Sequence, residues 1–236
     1  MKAELKVLNR KAQESEKMKQ AFINSICHEI RTPLNSIVGF SDLIMNEDID
    51  EEMRREFPAE IQKSTLLLTR LVNSMLEVAN LDVSEDKLPC EPVDIRNMCM
   101  QEMEKISPKP RIKYQLDITE DTLFIPTNAQ YLTMVIEHLL NNANKFTEEG
   151  FIALGYKVNL SKNQICISVT DSGCGIPKEK QEEVFNRFSK LDTFVPGNGL
   201  GLYLCRLIVK RLDGEIKIDP EYTDGTRVVV NLPMNE

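Results

Sequence analysis

Four short segments hold residue types at spacings that chemistry could use. The first is Ser25-Ile26-Cys27-His28-Glu29-Ile30-Arg31-Thr32-Pro33-Leu34-Asn35. Ile23, Ile26, Ile30, Leu34, Ile37 and Ile44 recur at helical spacing and define an apolar stripe. At 100° per residue His28 falls roughly 160° from the centre of that stripe, so its imidazole is expected to face solvent. Thr32, four residues on, shares the face, and Glu29 is the neighbour in sequence. An exposed imidazole keeps a nitrogen lone pair and can act as a nucleophile. A carboxylate beside it can hold the other ring N–H, fix the tautomer and stabilise positive charge on the ring. Pro33 removes a helical hydrogen bond and loosens the turn just past His28. A surface histidine with no role would show the same spacing, so this segment alone decides nothing.

The other three lie in the second half. His138-Leu139-Leu140-Asn141-Asn142-Ala143-Asn144-Lys145-Phe146-Thr147 ends a helical pattern whose apolar face is Leu132, Val135, Ile136, Leu139 and Leu140. His138 and Asn142 project together at i, i+4, with Lys145 one turn further. An amide oxygen suits Mg²⁺, and a lysine nearby can neutralise phosphate. Next, Asp171-Ser172-Gly173-Cys174-Gly175-Ile176 directly follows a strand pattern. Its glycines let backbone approach a flat ring or phosphates, and the carboxylate can accept from an exocyclic amine. The last is Gly197-Asn198-Gly199-Leu200-Gly201-Leu202, which opens a helix at the end that favours phosphate. Taken singly, these also read as a polar helix face, a turn and a loop with a cap. Neither a G-x-x-x-x-G-K-[ST] loop nor the glycine loop, lysine and H-R-D of protein kinases is present, so any phosphate cradle is of another kind.

The elements that must position these residues fall in two halves. Residues 1–83 contain one glycine, Gly39, and two prolines, Pro33 and Pro58. The apolar stripe around His28 is followed by a second in Ile61, Leu68, Val72, Met75 and Ala79, across the acidic connection 46–52 with Asp50 as an expected cap. Two long helices make a hairpin, and the exposed seam it leaves is most economically covered by a second copy, giving a dimeric four-helix bundle. Residues 1–17, charged and rich in Ala, Lys and Glu, read as a helical extension of it. Pro89 and Pro92 break the pattern in 84–92, the expected linker. From 93 to 236, strand patterns at 111–117, 123–125, 151–160, 164–170, 214–218 and 226–232 mix with helical ones at 130–144 and 199–211. That mixture predicts a mainly antiparallel sheet with helices on one face, an α+β sandwich.

Composition narrows the function. The chain has 236 residues, is 42% hydrophobic and 28% charged, and carries a net charge of -8. Such an acid balance argues against nucleic acid as main partner. No apolar run is long enough for a membrane-spanning helix, and no secretory leader is apparent. Six cysteines without a C-x-x-C pair, beside only two histidines, support neither a zinc site nor a disulfide framework, and favour a reducing compartment.

In this order and on these elements, the segments resemble the bacterial sensor histidine kinases of two-component systems. His28-Glu29-Ile30-Arg31-Thr32-Pro33-Leu34-Asn35 is similar to that family's phosphoacceptor box, and Asn141–Thr147 to its asparagine box. Asp171–Ile176 and Gly197–Leu202 resemble its two glycine boxes, Phe185-Asn186-Arg187-Phe188 its phenylalanine box, and Asp224-Gly225-Thr226 the Gly-Thr motif before its last strand. The resemblance runs from about residue 18 to the C-terminus. It implies a multidomain α and α+β protein, in which a dimeric phosphotransfer hairpin precedes a Bergerat-type α/β sandwich that binds ATP.

Carried over residue by residue, the resemblance implies that His28 takes the γ-phosphoryl of ATP, with Glu29 as the acid/base partner that orients it. Asn142 would coordinate Mg²⁺, and Asp171 would hold the adenine amine. Lys145 and Arg187 would contact phosphates. Gly173, Gly175, Ile176, Gly199, Leu200, Gly201 and Thr226 would complete the nucleotide site. Thr32 sits where the family places a residue that positions water to dephosphorylate the response-regulator receiver, the implied partner. Residues 189–198 would form a short lid. Three positions depart from the family pattern: His138 stands where asparagine is usual, Asn128 where an acid is usual, and Asn198 where threonine is often found. Input and output are expected outside this chain, which would be the cytoplasmic portion of a longer sensor, possibly anchored in the inner membrane. Two other readings fit some of these residues: a scaffold that binds nucleotide without transferring phosphate, and an ATPase of the gyrase or chaperone type.

Overall fold

The structure of the protein, a computed structural model, describes residues 2–45, 50–83, 88–118, 121–187, 189, 191 and 199–234, with backbone alone for 2–19, 21, 22, 25, 82 and 83. It folds as two compact units, Met1–Leu76 and, beginning at Glu77, the remainder of the described chain through residue 234.

In the first unit α1 spans Lys2–Ile44, running through Pro33, and α2, which spans Glu51–Val83, contributes its residues through Leu76. Residues 46–49 of the acidic connection lie outside the described residues, but the cap expected at Asp50 is present. Its carboxylate accepts from the Glu52 N–H at 3.2 Å and its carbonyl from the Arg54 N–H at 3.0 Å. Phe40 of α1 stacks on Phe57 of α2 with ring centroids 5.4 Å apart. The buried column of α2 is Phe57, Ser64 and Leu71, every seventh residue. It is not the column Ile61, Leu68 and Val72 that the sequence pattern favours; Ile61 and Leu68 are half-buried and Val72 is 41% exposed. Leu34, Val38 and Leu43 of α1 and Leu66, Leu67 and Leu76 of α2 are likewise exposed. The apolar band is wider than the face that one neighbouring helix covers.

The second unit is an α/β sandwich. After β1 (Glu91–Asp94) come α3 (Ile95–Glu104), β2 (Ile112–Asp117), β3 (Phe124–Thr127), α4 (Ala129–Phe146), β4 (Gly150–Asn159), β5 (Gln164–Asp171), α5 (Gly201–Arg211), β6 (Glu215–Ile218) and β7 (Thr226–Pro233). A five-stranded sheet has the order β2-β4-β5-β7-β6, and β1 pairs with β3 in a small antiparallel ribbon. All neighbours in the large sheet are antiparallel except β2 and β4, which run parallel. Strand alternation sends Ile152, Leu154 and Tyr156 of β4, Ile165, Ile167 and Val169 of β5, and Val228, Val230 and Leu232 of β7 to one face. Against that face pack Leu132, Val135, Ile136, Leu139 and Leu140 of α4 and Leu204, Ile208 and Val209 of α5. Val78 and Leu81, in the last turns of α2, are buried in the same core.

Two elements, β1 and α3, are absent from the sequence-based expectation. Asp94 caps α3, accepting from the Asn97 N–H at 3.1 Å, and Ile95, Met98, Cys99 and Glu102 form its buried face. Asn128 shows why an amide stands there instead of an acid. Its Oδ1 caps α4 by accepting from the Tyr131 N–H at 3.1 Å, while its Nδ2 donates to the Pro89 carbonyl at 2.8 Å, a bond no carboxylate could make.

Candidate functional site

In the first unit His28 and Thr32 are both exposed on α1, as the helical spacing predicts, and Glu29 is half-buried. The Thr32 hydroxyl donates to the His28 carbonyl at 3.3 Å, and the Ser36 hydroxyl to the Thr32 carbonyl at 3.2 Å. These hydroxyls back-bond along the turns where Pro33 has no N–H to give the Glu29 carbonyl. His28 thus sits on an outward face with its ring accessible.

The second unit brings Asp171, Gly173 and Thr226 together against the C-terminal end of α4. Asp171, at the end of β5, is 6% exposed. Its Oδ1 accepts from the Gly173 N–H at 2.9 Å and from the Thr226 N–H at 3.3 Å. Burial pushes the Asp171 carboxyl above the usual carboxylate range, and those two backbone donors pull it back in part. Both donors fall on one oxygen, so the other is directed away from them.

Glycine is required twice around this carboxylate. A Cβ on Gly173 would lie 2.5 Å from the Phe146 carbonyl oxygen, so the loop and the end of α4 touch backbone to backbone. Gly225 has φ 148° and a Cβ there would lie 2.0 Å from the Asp171 carbonyl, which joins the turn before β7 to the same corner. Sequence reasoning overlooked Ser172. Its hydroxyl accepts from the Phe151 N–H at 2.9 Å and ties the loop to the start of β4.

On α4, Asn142 is half-buried, and Lys145 is exposed with its ammonium 4.6 Å from the centre of the Phe146 ring. The start of α5 lies against the same helix: a Cβ on Gly201 would stand 3.6 Å from Nδ1 of His138. Gly199 adopts a left-handed φ of 62°. Leu200 is fully buried at the start of α5, while Ile176 is half-buried against the core. The Arg187 guanidinium lies over the Tyr203 ring at 4.8 Å, held by an α5 residue that no motif marks. The expected lid, 189–198, lies outside the described residues apart from Ser189 and Leu191.

Burial lowers the His138 imidazole below its ordinary range, with Glu137 opposing it in smaller measure. The folded protein therefore favours the neutral ring, and the unfolded chain takes the proton first as pH falls. Its contribution to stability is fully present above the ordinary histidine value of about 6.5 and is lost as pH falls through the depressed one. Melting curves at pH 7.5 and 5.5 check this. Wild type is expected to lose more of its midpoint than His138→Asn; an equal loss would contradict it.

An outward histidine on a helical hairpin, followed by an α/β sandwich with a carboxylate-and-glycine corner, defines a phosphoacceptor-type hairpin joined to an ATPase-type domain. Comparison with known proteins gives the family. Residues 18–83 match the His Kinase A (phospho-acceptor) domain, and residues 127–236 match the histidine kinase-, DNA gyrase B-, and HSP90-like ATPases. The chain belongs to the sensor histidine kinases. It is 29% identical to hybrid signal transduction histidine kinase A of Dictyostelium discoideum over 94% of its own length and 11% of that protein's. With sensor histidine kinase GacS of Pseudomonas protegens it shares 28% identity over 98% of its length and 26% of the relative's. The chain therefore spans only a minor part of these curated relatives. Among solved structures, full-length ShkA in complex with AMPPNP aligns with a TM-score of 0.68 at 26% identity, over 92% of this chain and 46% of that one. Histidine kinase ThkA in complex with response regulator protein TrrA shares the fold, with a TM-score of 0.72 at 21% identity over 96% and 65% of the two chains. None of the described helices is long and apolar enough to cross a membrane.

Proposed function

We propose that this chain is the autokinase core of a two-component sensor, transferring the γ-phosphoryl group of ATP to His28 and then to an aspartate of a response-regulator receiver. The observation that carries the reading is an exposed histidine on a phosphoacceptor-type hairpin, in one chain with a nucleotide-type corner built on Asp171. AMPPNP in ShkA and a response regulator on ThkA support nucleotide and receiver respectively. The lone pair of the unprotonated ring nitrogen attacks the γ-phosphorus. The bond to the bridging oxygen breaks, ADP leaves with that electron pair, and Glu29 holds and then accepts the proton of the other ring nitrogen. The product is a phosphoramidate.

In the second unit Asp171 accepts the adenine amine through Oδ2, the glycine main chain lies against the ring and phosphates, and Lys145 and Arg187 hold the phosphates in line. The donor set suits Mg²⁺ sparingly held by protein. Among the described residues no group of three His, Cys, Asp or Glu side chains could hold a metal, and Asn142 offers one amide oxygen to an ion otherwise bound by phosphate and water. When bound, Mg²⁺ neutralises charge on the phosphates. The exposed apolar band of α1 and α2 suits a second copy, giving a homodimer and a four-helix bundle. ATP as substrate supports a cytoplasmic placement, and the minor share of its curated relatives' length that the chain spans supports a place within a longer sensor.

Thr32, on the His28 face, positions water for removal of phosphate from the receiver. Labelled chain chased with purified receivers tests both steps. Label is expected to pass to the cognate receiver's aspartate, and Thr32→Ala should label normally yet dephosphorylate that receiver about tenfold more slowly. Equal loss of both activities would count against this role for Thr32, and label that no receiver accepts would count against the relay.

A further inference from the structure

The last turn of α4 is held from outside by a segment that no motif includes. Lys109, in the connection between α3 and β2, directs its ammonium at the carbonyls of Asn144 and of Thr147, the latter at 3.0 Å. The Lys109 N–H donates to the Tyr114 hydroxyl at 3.0 Å, and that hydroxyl donates to Oδ1 of Asn144 at 2.8 Å. Nδ2 of Asn144 donates to the Ser107 carbonyl at 3.2 Å. Lys109, Tyr114 and Asn144 are all half-buried, and Thr147 is fully buried.

A helix leaves its last carbonyls without intrahelical donors, and a cation at that end also opposes the helix dipole. Here one ammonium supplies both, and the two carbonyls it binds, those of Asn144 and Thr147, bracket Lys145 and the Phe146 carbonyl. That carbonyl is the one in contact with Gly173, whose N–H is bonded to Asp171. Lys109 is thus tied to the backbone through which the end of α4 meets the Asp171 corner. We propose that Lys109, with Tyr114 as its brace, is a positioning residue for the nucleotide site. The inference rests on the reading of that site given above. Lys109 touches no reacting atom; it acts through the backbone of residues 144–147.

The test uses the full chain, with Lys109→Met, Lys109→Arg and Tyr114→Phe. The initial rate of labelling is measured against ATP concentration, and melting midpoints are taken alongside. Lys109→Met is expected to raise half-saturating ATP about tenfold, since sub-ångström displacement of a positioning group has effects of that order. Lys109→Arg, which keeps donors and charge, should stay within about twofold of wild type, and Tyr114→Phe should fall between the two. If Lys109→Met lowers the melting midpoint but leaves half-saturating ATP unchanged well below that midpoint, the residue is a structural cap only and the proposal is overturned. Should Lys109→Met not fold, Tyr114→Phe decides: an unchanged ATP dependence overturns the proposal, a raised one supports it. A wild-type chain that neither binds nor uses ATP overturns the underlying site reading, and is seen before any variant is made.

Discussion

His28→Gln is expected to lower phosphoryl incorporation from ATP by about a thousandfold or more, while nucleotide affinity changes by less than about twofold. Glutamine keeps the length and polarity of the side chain but has no basic nitrogen lone pair, so no N–P bond can form. The residue is exposed on α1, so its replacement leaves the packed face of the hairpin unchanged. It lies in the first unit, whereas the residues assigned to nucleotide are in the second. Loss of labelling and retention of nucleotide should therefore separate cleanly. Labelling assays beside equilibrium titration with a fluorescent ATP analogue would check it. A variant that still labels would mean that another side chain is the acceptor.

Asp171→Asn is expected to weaken ATP binding about 10- to 100-fold without unfolding the protein. The arrangement around the carboxylate explains both halves. The asparagine carbonyl can take over from Oδ1 and still accept from Gly173 and Thr226. Its amide nitrogen then sits where Oδ2 was and presents hydrogens to the hydrogens of the adenine amine. A hydrogen bond to a charged group contributes about 1.5–3 kcal/mol, and here an acceptor becomes a repelling donor. Stability should move the other way. Because burial raises the Asp171 carboxyl, the fold disfavours the charged form; its stabilising contribution is fully present below the unfolded value and is lost as pH rises through the raised one. At pH 7.5 the neutral amide is therefore expected to melt no lower than wild type. Calorimetric titration with Mg-ATP and thermal melts would test the pair. Unchanged affinity, or a fall in melting temperature that accounts for the lost binding, would remove Asp171 from the adenine site.

The helices and strands that carry motifs were legible because their signals are local. His28 and Thr32 share a face through a spacing of four, and the alternation in β4, β5 and β7 survives in the buried set almost residue for residue. What escaped depends on distant partners. The ten residues of α3 begin three positions after Pro92, and that proline reads as a break although Ile95, Met98, Cys99 and Glu102 already have helical spacing. The parallel pairing of β2 with β4 needs a crossover through α4, which no strand pattern announces. In α2 the apolar residues are too many for one seam, and Phe40 of α1, stacked on Phe57, selects the column that is buried.

At the candidate site the motifs identified Asp171, Gly173 and Thr226, which the fold brings together. They were silent about what fixes them. Tyr203 under Arg187, Ser172 against β4 and Lys109 against α4 act through aromatic faces and backbone N–H and C=O groups, to which many residue types can bind.

The chemistry of the phosphorylated residue decides the central claim. Wild-type chain is incubated with γ-labelled ATP and Mg²⁺, digested at alkaline pH, and the labelled peptide is sequenced. The account predicts label on the peptide containing His28, stable in alkali and lost in acid, as a phosphoramidate must be. Label on a hydroxyl or carboxyl side chain, or none on a chain that has bound ATP, would contradict it.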